Sequence, residues 1–222
     1  MADEQRQYEL LIFDWDGTLM DSEAHIVECL ERAMRAVDME PLPSSELRQV
    51  IGLGLEEAIA GILPQAPAPV RQQAVTAFRE HFLSPHPTPS KLFPDVNEVL
   101  QTLRQQGYAM AVATGKSRRG LDKVMKQTGL GEYFSVSRCA DETFSKPHPL
   151  MVEEILTDMN TSPQRALVIG DTEFDLQMAA NAGVPAVGVS YGVHGIERLE
   201  SASPLTILHR IAELPEWLNG GD

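Results

Sequence analysis

The chain has 222 residues, of which 43% are hydrophobic and 23% charged, as in one soluble globular domain or a core domain carrying a smaller insertion. Its formal net charge of −14 disfavours nucleic acid and anionic membranes as partners. The two cysteines lack metal-ligand spacing, and neither a signal-peptide pattern nor a membrane-spanning apolar segment is evident, so we expect a cytoplasmic protein without a disulfide framework or zinc site.

Short apolar runs alternate with helical patterns along most of the chain. Runs at 8–13, 108–113, 166–169 and 185–189 predict buried strands, and 134–138 is a weaker candidate. Helical patterns lie between the later runs, at 96–106, 119–128, 149–159 and 174–182, and three of these end at a glycine suited to a left-handed C-cap. This alternation predicts an α/β fold with a doubly wound, Rossmann-like parallel sheet.

The segment from 21 to 89 interrupts this alternation. It contains helical patterns at 22–39, 45–50, 55–63 and 70–82 but no convincing strand, and it ends in a proline-rich stretch at 84–89 that predicts a stiff linker. We therefore predict a helical cap domain, residues 21–89, inserted into a core domain formed by residues 1–20 and 90–222.

Polar residues follow the predicted strands, at the edge where ligands bind in open parallel sheets. They are Asp14 and Asp16, then Thr114 and Gly115, then Lys146 on a later loop, and finally Asp171 and Asp175. Because residues i and i+2 of an extended segment point to the same side, Asp14 and Asp16 should share one site. Taken alone, that segment is equally well explained as a turn-forming Asp-Gly pair.

Several carboxylates that converge at one edge need a cation, since they would otherwise repel each other or become protonated. Oxygen ligands select Mg²⁺, and Lys146 would supply further positive charge. A lone lysine is more often a solvated surface residue, and Thr114 alone would be the N-cap of the following helix. Capping and phosphate binding are compatible, because a helix N-terminus offers free N–H groups to an anion.

Taken together, these motifs resemble those of the haloacid dehalogenase-like superfamily of phosphohydrolases. The resemblance rests on DWDGTL at 14–19, Thr114, Lys146 and GDTEFD at 170–175, which occur in the family's order. The helical insertion is similar to that of the subgroup with a small helical cap, and within it the chain looks most like phosphoglycolate phosphatases.

The resemblance implies a Mg²⁺-dependent phosphatase that acts on a small phosphorylated metabolite, either phosphoglycolate-like or a sugar phosphate. Asp14 would be the nucleophile and Asp16 the general acid and base. Mg²⁺ would be held by the carboxylates of Asp14 and Asp171 and by the backbone carbonyl of Asp16. Phosphate would be bound by Thr114, Gly115 and Lys146, with Asp175 in support. We expect a monomer or a weak homodimer.

Specific residues bear on the alternative functions. A phosphomutase or phosphotransferase of the same fold is one alternative, but Ile26 stands where sugar-phosphate mutases carry a histidine. Asp16 argues against a metal-free dehalogenase, and the complete set of reactive residues argues against a non-catalytic regulatory module. Arg48 is the candidate for binding a substrate anion, with a surface arginine as the alternative, and His194 could line the mouth of the site.

Overall fold

A computed structural model of the chain describes residues 6–84 and 90–220. In this part of the chain, six parallel strands form one sheet in the order β5-β4-β1-β6-β7-β8. The strands are β1 (Leu10–Phe13), β4 (Ala109–Thr114), β5 (Val136–Cys139), β6 (Ala166–Gly170), β7 (Ala186–Val189) and β8 (Ile207–Leu208). The predicted parallel α/β sheet is confirmed, and the weak candidate at 134–138 corresponds to β5.

The first strand lies at the centre of the sheet. Leu10 pairs with Ala109 of β4 on one side and with Ala166 of β6 on the other. The chain therefore builds β4 and β5 on one side of β1 and then crosses to the other side for β6. Such a reversal of strand order opens a crevice at the carboxyl end of the central strand. Asp14 follows β1 directly at this point.

Helices cover both faces of the sheet. They are α5 (Val96–Gln105), α6 (Arg118–Thr128), α7 (Leu150–Asp158), α8 (Glu173–Asn181), α9 (Ile196–Ser201) and α10 (Leu214–Leu218). Leu11 and Phe13 of β1 pack in the apolar cluster that includes residues of α5, α6 and α10. Leu10 and Ile12 pack in a second cluster with residues of α7, α8 and α9. Burial on both faces explains why β1 is continuously apolar.

Glycines end three of the core helices, as their sequence pattern predicts. Gly107, Gly129 and Gly183 follow α5, α6 and α8 with φ angles of 85°, 73° and 69°. Glycine adopts this left-handed conformation without the steric cost that a Cβ atom would add.

The inserted segment carries four α-helices within its described residues: α1 (Glu23–Arg35), α2 (Ser44–Leu47), α3 (Leu55–Ile62) and α4 (Ala68–Leu83). We call these four the cap helices. Their apolar faces form a third cluster around Leu30, Met34 and Ile59, which Val193 of the core also joins. The proposed linker at 84–89 lies outside the described residues except for Ser84.

Three short strands escaped the sequence analysis. The short strands β2 (Met20–Asp21) and β3 (Lys91–Leu92) pair antiparallel at the two ends of the inserted segment. The two strands lie at the borders of the segment 21–89, in which we expected no convincing strand, and among its described residues only Asp21 belongs to a strand. The edge strand β8 was also missed. Each of these strands has two residues, which is too short for an alternating pattern to be recognised.

Both cysteines are free and buried. Burial is the largest effect on each thiol and raises the pKa of Cys29 and of Cys139 to about 12. Thiols that stay protonated at neutral pH are poor nucleophiles, so both act as apolar core residues. None of the helices in the described ranges is both long and apolar enough to cross a membrane.

Candidate active site

The end of β1 separates polar from apolar side chains. Asp14 and Asp16 both line a cavity between the sheet edge and the cap helices. Trp15, between them, is fully buried in the core on the other side, with its ring 6.2 Å from that of Phe134. The backbone is held in place because the Asp14 N–H donates to the Ile169 carbonyl at 2.9 Å. The prediction that the two carboxylates face one side agrees with this arrangement.

Lys146 lies between two carboxylates in the interior of the protein. Its Nζ is 2.5 Å from Asp14 Oδ1 and 2.6 Å from Asp175 Oδ1, and only 1% of the residue is exposed. Burial disfavours the ammonium, but the two carboxylates outweigh this effect and raise the pKa of Lys146 above its usual range. The lysine is therefore a fixed positive charge beside Asp14 and not a solvated surface residue.

Asp175 is fixed by the start of α8. Thr172 is the N-cap, and its side chain accepts from the Asp175 N–H, while Asp175 Oδ2 accepts from the Thr172 N–H at 3.0 Å and the Thr172 hydroxyl at 2.7 Å. This reciprocal pair is a capping box, with aspartate in the place of the usual glutamate. One carboxylate oxygen thus stabilises the helix and the other orients Lys146.

Asp171 is enclosed by two backbone segments. Its Oδ1 accepts from the Thr18 hydroxyl at 3.0 Å, and its Oδ2 accepts from the Val193 N–H at 2.8 Å. A Cβ atom at Gly17 would lie 2.0 Å from Asp171 Oδ2, and one at Gly192 would lie 2.3 Å from its Cβ. Only glycine at these two positions lets the backbone approach the carboxylate so closely.

The carboxylates fit a divalent cation. Among the described residues, Asp14, Asp171 and Asp175 each offer an oxygen, and these oxygens lie within 4.8 Å of one another. Both Asp175 oxygens already accept hydrogen bonds, whereas Asp14 Oδ2 is buried without a hydrogen-bond partner in the described part of the chain. An oxygen-only site with an unsatisfied carboxylate oxygen suits Mg²⁺.

Electrostatics support the need for such a cation. Burial is the main effect that raises the pKa of Asp14 to about 7; Lys146 opposes the rise and Asp175 adds to it. Burial, followed by the charges of Asp14 and Asp175, also raises the pKa of Asp171 well above its usual value. A divalent cation would stabilise both carboxylates in their ionised forms.

Asp16 has a cationic partner that the sequence analysis missed. Lys116 Nζ lies 2.9 Å from Asp16 Oδ1, and the Ser22 hydroxyl donates to the same oxygen. Lys116 is only 6% exposed, and its Nζ also lies 4.5 Å from the centre of the Phe82 ring on α4. Its place two residues after Thr114, at the end of a buried strand, was the signal that could have identified it.

The loop after β4 lies at the bottom of the cavity. Thr114 is fully buried, and its hydroxyl accepts from the Lys116 N–H at 3.2 Å. The N-cap of α6 is Ser117, so the interpretation of Thr114 as that cap was wrong: the helix begins three residues later. A Cβ atom at Gly115 would lie 2.5 Å from the Leu53 carbonyl, so glycine allows the inserted segment to approach the core here.

The cavity has a volume of about 470 Å³. Its core side carries Asp14, Asp16, Thr114, Gly115, Lys116, Ser117, Ala140, Asp141 and Thr143. Its remaining walls come from the inserted segment: Ile26, Leu30, Val50 to Ala58, Phe78, Arg79, Phe82 and Leu83.

Five candidates from the sequence are not among the described lining residues of this cavity: Lys146, Asp171 and Asp175, which lie buried next to Asp14, and Arg48 and His194. Arg48 instead pairs with Glu23 at 2.9 Å and donates to the Val193 carbonyl at 3.3 Å, which links the inserted segment to the core. His194 is buried, and its Nδ1 accepts from the Glu173 N–H at the start of α8. Burial, assisted by Arg198, lowers the pKa of His194 to about 4, so the ring is neutral.

Comparison with known proteins is consistent with this geometry. The sequence profile of a family described as haloacid dehalogenase-like hydrolase matches residues 11–189. A Dickeya dadantii protein named "Probable phosphatase IndB" is 36% identical over 92% of this chain and 91% of its own length. A phosphoglycolate phosphatase of Pectobacterium atrosepticum is 32% identical over 92% of this chain and 89% of its own length.

The fold is also found in solved structures. A haloacid dehalogenase-like hydrolase from Streptococcus pneumoniae superposes with a TM-score of 0.81 at 21% identity and covers 95% of this chain and 98% of its own. At this level of identity the similarity concerns the fold alone.

Proposed function

The chain belongs to the haloacid dehalogenase-like hydrolase family as a phosphatase similar to phosphoglycolate phosphatases, and we propose that it hydrolyses a small phosphate monoester through a Mg²⁺-dependent aspartyl-phosphate on Asp14. The observation that carries this proposal is the environment of Asp14. One of its oxygens is held by Lys146, and the other is buried without a hydrogen-bond partner among the described residues, close to Asp171.

Asp14 would attack phosphorus and displace the alkoxide of the substrate, so that an O–P bond forms to its carboxylate as the ester O–P bond breaks. Lys146 would neutralise negative charge on Asp14 and on the transferred phosphoryl group. Because Asp175 also holds Lys146, the ammonium need not be reoriented during the reaction.

Mg²⁺ would be held by the carboxylates of Asp14 and Asp171 and by the backbone carbonyl of Asp16. When bound, it would supply positive charge that neutralises the phosphoryl oxygens and keeps the carboxylates ionised. Thr114 and the N–H of Gly115 would bind the remaining phosphoryl oxygens.

Asp16 would give its proton to the leaving oxygen and then take a proton from the water that hydrolyses the aspartyl-phosphate. Lys116 and Ser22 both contact Oδ1 of Asp16, so Oδ2 is the oxygen that would carry this proton. The two contacts would fix the direction of the carboxylate.

Residues 21–89 would act as a cap domain that covers the site on the core formed by 1–20 and 90–222. A cap that closes over the substrate excludes bulk water from the reacting groups. Ile26, where a histidine would favour a mutase, lines the cavity with an apolar side chain, which supports hydrolysis over phosphotransfer.

The test uses 4-nitrophenyl phosphate, whose leaving group needs no proton. Asp14→Asn should abolish turnover, and chelation of Mg²⁺ should do the same. Asp16→Asn should release about one equivalent of nitrophenol per enzyme and then stop, with the phosphorylated protein detectable by mass spectrometry. Asp38→Asn is a matched control, because Asp38 is exposed and has a φ of 58° that asparagine tolerates.

Two results would refute the proposal. An Asp14→Asn protein that retains more than a few per cent of the wild-type rate cannot use Asp14 as its nucleophile. Full activity in excess chelator would remove the metal from the mechanism.

A further inference from the structure

We propose that the substrate of this phosphatase has a leaving group that carries no second negative charge and presents an apolar face to the cap helices. This inference rests on the proposed function and narrows its substrate to phosphate esters of neutral, partly apolar alcohols. Phosphoglycolate, with its carboxylate next to the phosphate, would be a poor substrate.

The apolar face of the cavity comes from two cap helices. Ile26 and Leu30 of α1 lie on one part of the wall, and Phe78, Phe82 and Leu83 of α4 lie on another. The rings of Phe78 and Phe82 stack on each other with centroids 5.5 Å apart. An aromatic surface of this kind binds a flat or aliphatic group through burial of apolar area.

The charged residues of the wall disfavour a second anion. Apart from Asp14, the described residues of the lining include two basic side chains and four acidic ones. Lys116 is one of the two basic residues, and it is already paired with Asp16 and covered by Phe82. The other is Arg79, whose Nη2 lies 3.6 Å from Glu56 Oε1.

Glu57 and Asp141 add negative charge to the same lining, beyond the pair that Arg79 and Glu56 form. A carboxylate on the leaving group would have to displace Asp16 or Glu56 from its cation, or remain unpaired next to other acids. Either outcome is unfavourable, because like charges that lie close together repel each other. A neutral group meets no such penalty.

The first experiment compares esters of primary alcohols, so that their leaving groups need the same proton from Asp16. Benzyl phosphate should have a kcat/KM at least about tenfold higher than 4-carboxybenzyl phosphate, since the second ester differs by one remote charge. The kcat/KM for benzyl phosphate should also exceed the values for phosphoglycolate and for glucose 6-phosphate. Glucose 6-phosphate is neutral beyond its phosphate but polar on all sides.

A pair of matched variants tests whether the acidic residues of the cavity cause the difference in kcat/KM between the two benzyl esters. Glu57→Gln removes one acidic group of the cavity, and Glu40→Gln removes the charge of an exposed glutamate that is not among its lining residues. Glu57→Gln should raise the ratio of kcat/KM for 4-carboxybenzyl phosphate to kcat/KM for benzyl phosphate at least about threefold. Glu40→Gln should change neither value by more than about twofold, because the Debye length is about 8 Å in physiological salt.

Each result decides between the claims. Equal kcat/KM for the two benzyl esters, or a preference for phosphoglycolate, overturns the inference and leaves the phosphatase intact. A higher kcat/KM for glucose 6-phosphate than for benzyl phosphate overturns the claim that the leaving group presents an apolar face to the cap helices. The same effect in both glutamate variants overturns the role of the cavity acids. Hydrolysis of none of these esters, nor of 4-nitrophenyl phosphate, overturns the proposed function, and this inference falls with it.

Discussion

Replacing Lys146 by methionine removes a buried charge and keeps most of the volume of the side chain. The ammonium lies 2.5 Å from Asp14 and 2.6 Å from Asp175, and the side chain has no exposed area. Loss of one partner of a buried ion pair typically costs about 3–5 kcal/mol, because the remaining charge is left uncompensated. For a protein of this size each kcal/mol lowers Tm by about 2–4 °C, so Tm should fall by roughly 6–20 °C.

The effect of Lys146→Met should grow with pH. In the wild-type protein burial raises the pKa of Asp14 to about 7 although Lys146 opposes this rise. At pH 5 the metal-free native state therefore carries a protonated Asp14, and the variant loses mainly the contact with Asp175. At pH 8 Asp14 is ionised beside Lys146 in the wild type, whereas in the variant it must be unpaired or protonated. The difference in Tm between the two proteins should be larger at pH 8 than at pH 5.

The activity of Lys146→Met should also fall, for a reason separate from the loss of stability. Loss of one preorganised charge at a reacting phosphoryl group typically lowers kcat by about 10²–10³-fold. Thermal denaturation at pH 5 and pH 8 without metal, and hydrolysis of 4-nitrophenyl phosphate with Mg²⁺ below the transition, measure the two effects. Lys126→Met on α6 is the control, because Lys126 is exposed.

The double variant Lys146→Met/Asp175→Asn should recover part of the lost Tm, since one uncompensated carboxylate is removed. The reasoning would be refuted if Lys146→Met denatures at the wild-type temperature at pH 8. It would also be refuted if the variant keeps more than about a tenth of the wild-type kcat, since one such group is worth about 10²-fold or more.

Three further predictions concern the metal and its surroundings. Mg²⁺ should raise Tm more at pH 8 than at pH 5, because the raised carboxyl pKa values make the metal-free native state lose stability as pH rises from about 4 to 7; an equal shift at both pH values would contradict this. Gly192→Ala should weaken Mg²⁺ binding in calorimetry because its Cβ would collide with Asp171, whereas Gly195→Ala, which meets no atom within 4 Å, should not. Lys116→Met should lower the rate of the first turnover by about 10–100-fold for benzyl phosphate, since Asp16 loses its orientation, but should lower the rate of the first nitrophenol release from 4-nitrophenyl phosphate much less; equal losses in this first turnover would show that Lys116 acts elsewhere.

The repeating parts of the fold follow from local sequence. The strand β1, residues 10–13, is apolar throughout because it is buried on both faces, and Gly107, Gly129 and Gly183 stop helices because each adopts a positive φ. Periodicity and glycine chemistry act over a few residues, so they are visible without tertiary information. The ribbon of β2 and β3 was not visible, because two residues per strand carry no period.

In the candidate site too, some features could be predicted from the sequence and others could not. Asp14, Lys146, Asp171 and Asp175 could be proposed together from motifs at strand ends, and they lie together in the structure, although their roles remain predictions. The interpretation of Thr114 as a helix cap failed because capping depends on where the helix axis begins, and Ser117 occupies that point.

The sequence by itself determined the order of the longer strands and helices, the edge of the sheet that carries the carboxylates, and the residue types available for chemistry there. Only the tertiary structure decided which cation pairs with which carboxylate. Lys146 pairs with Asp14 across 132 positions of the chain, and Lys116 pairs with Asp16. It also decided that Arg48 pairs with Glu23 while Phe82 covers Lys116. The physical reason is that an ion pair depends on distance in space and on burial, and neither quantity is encoded in the local spacing of residues.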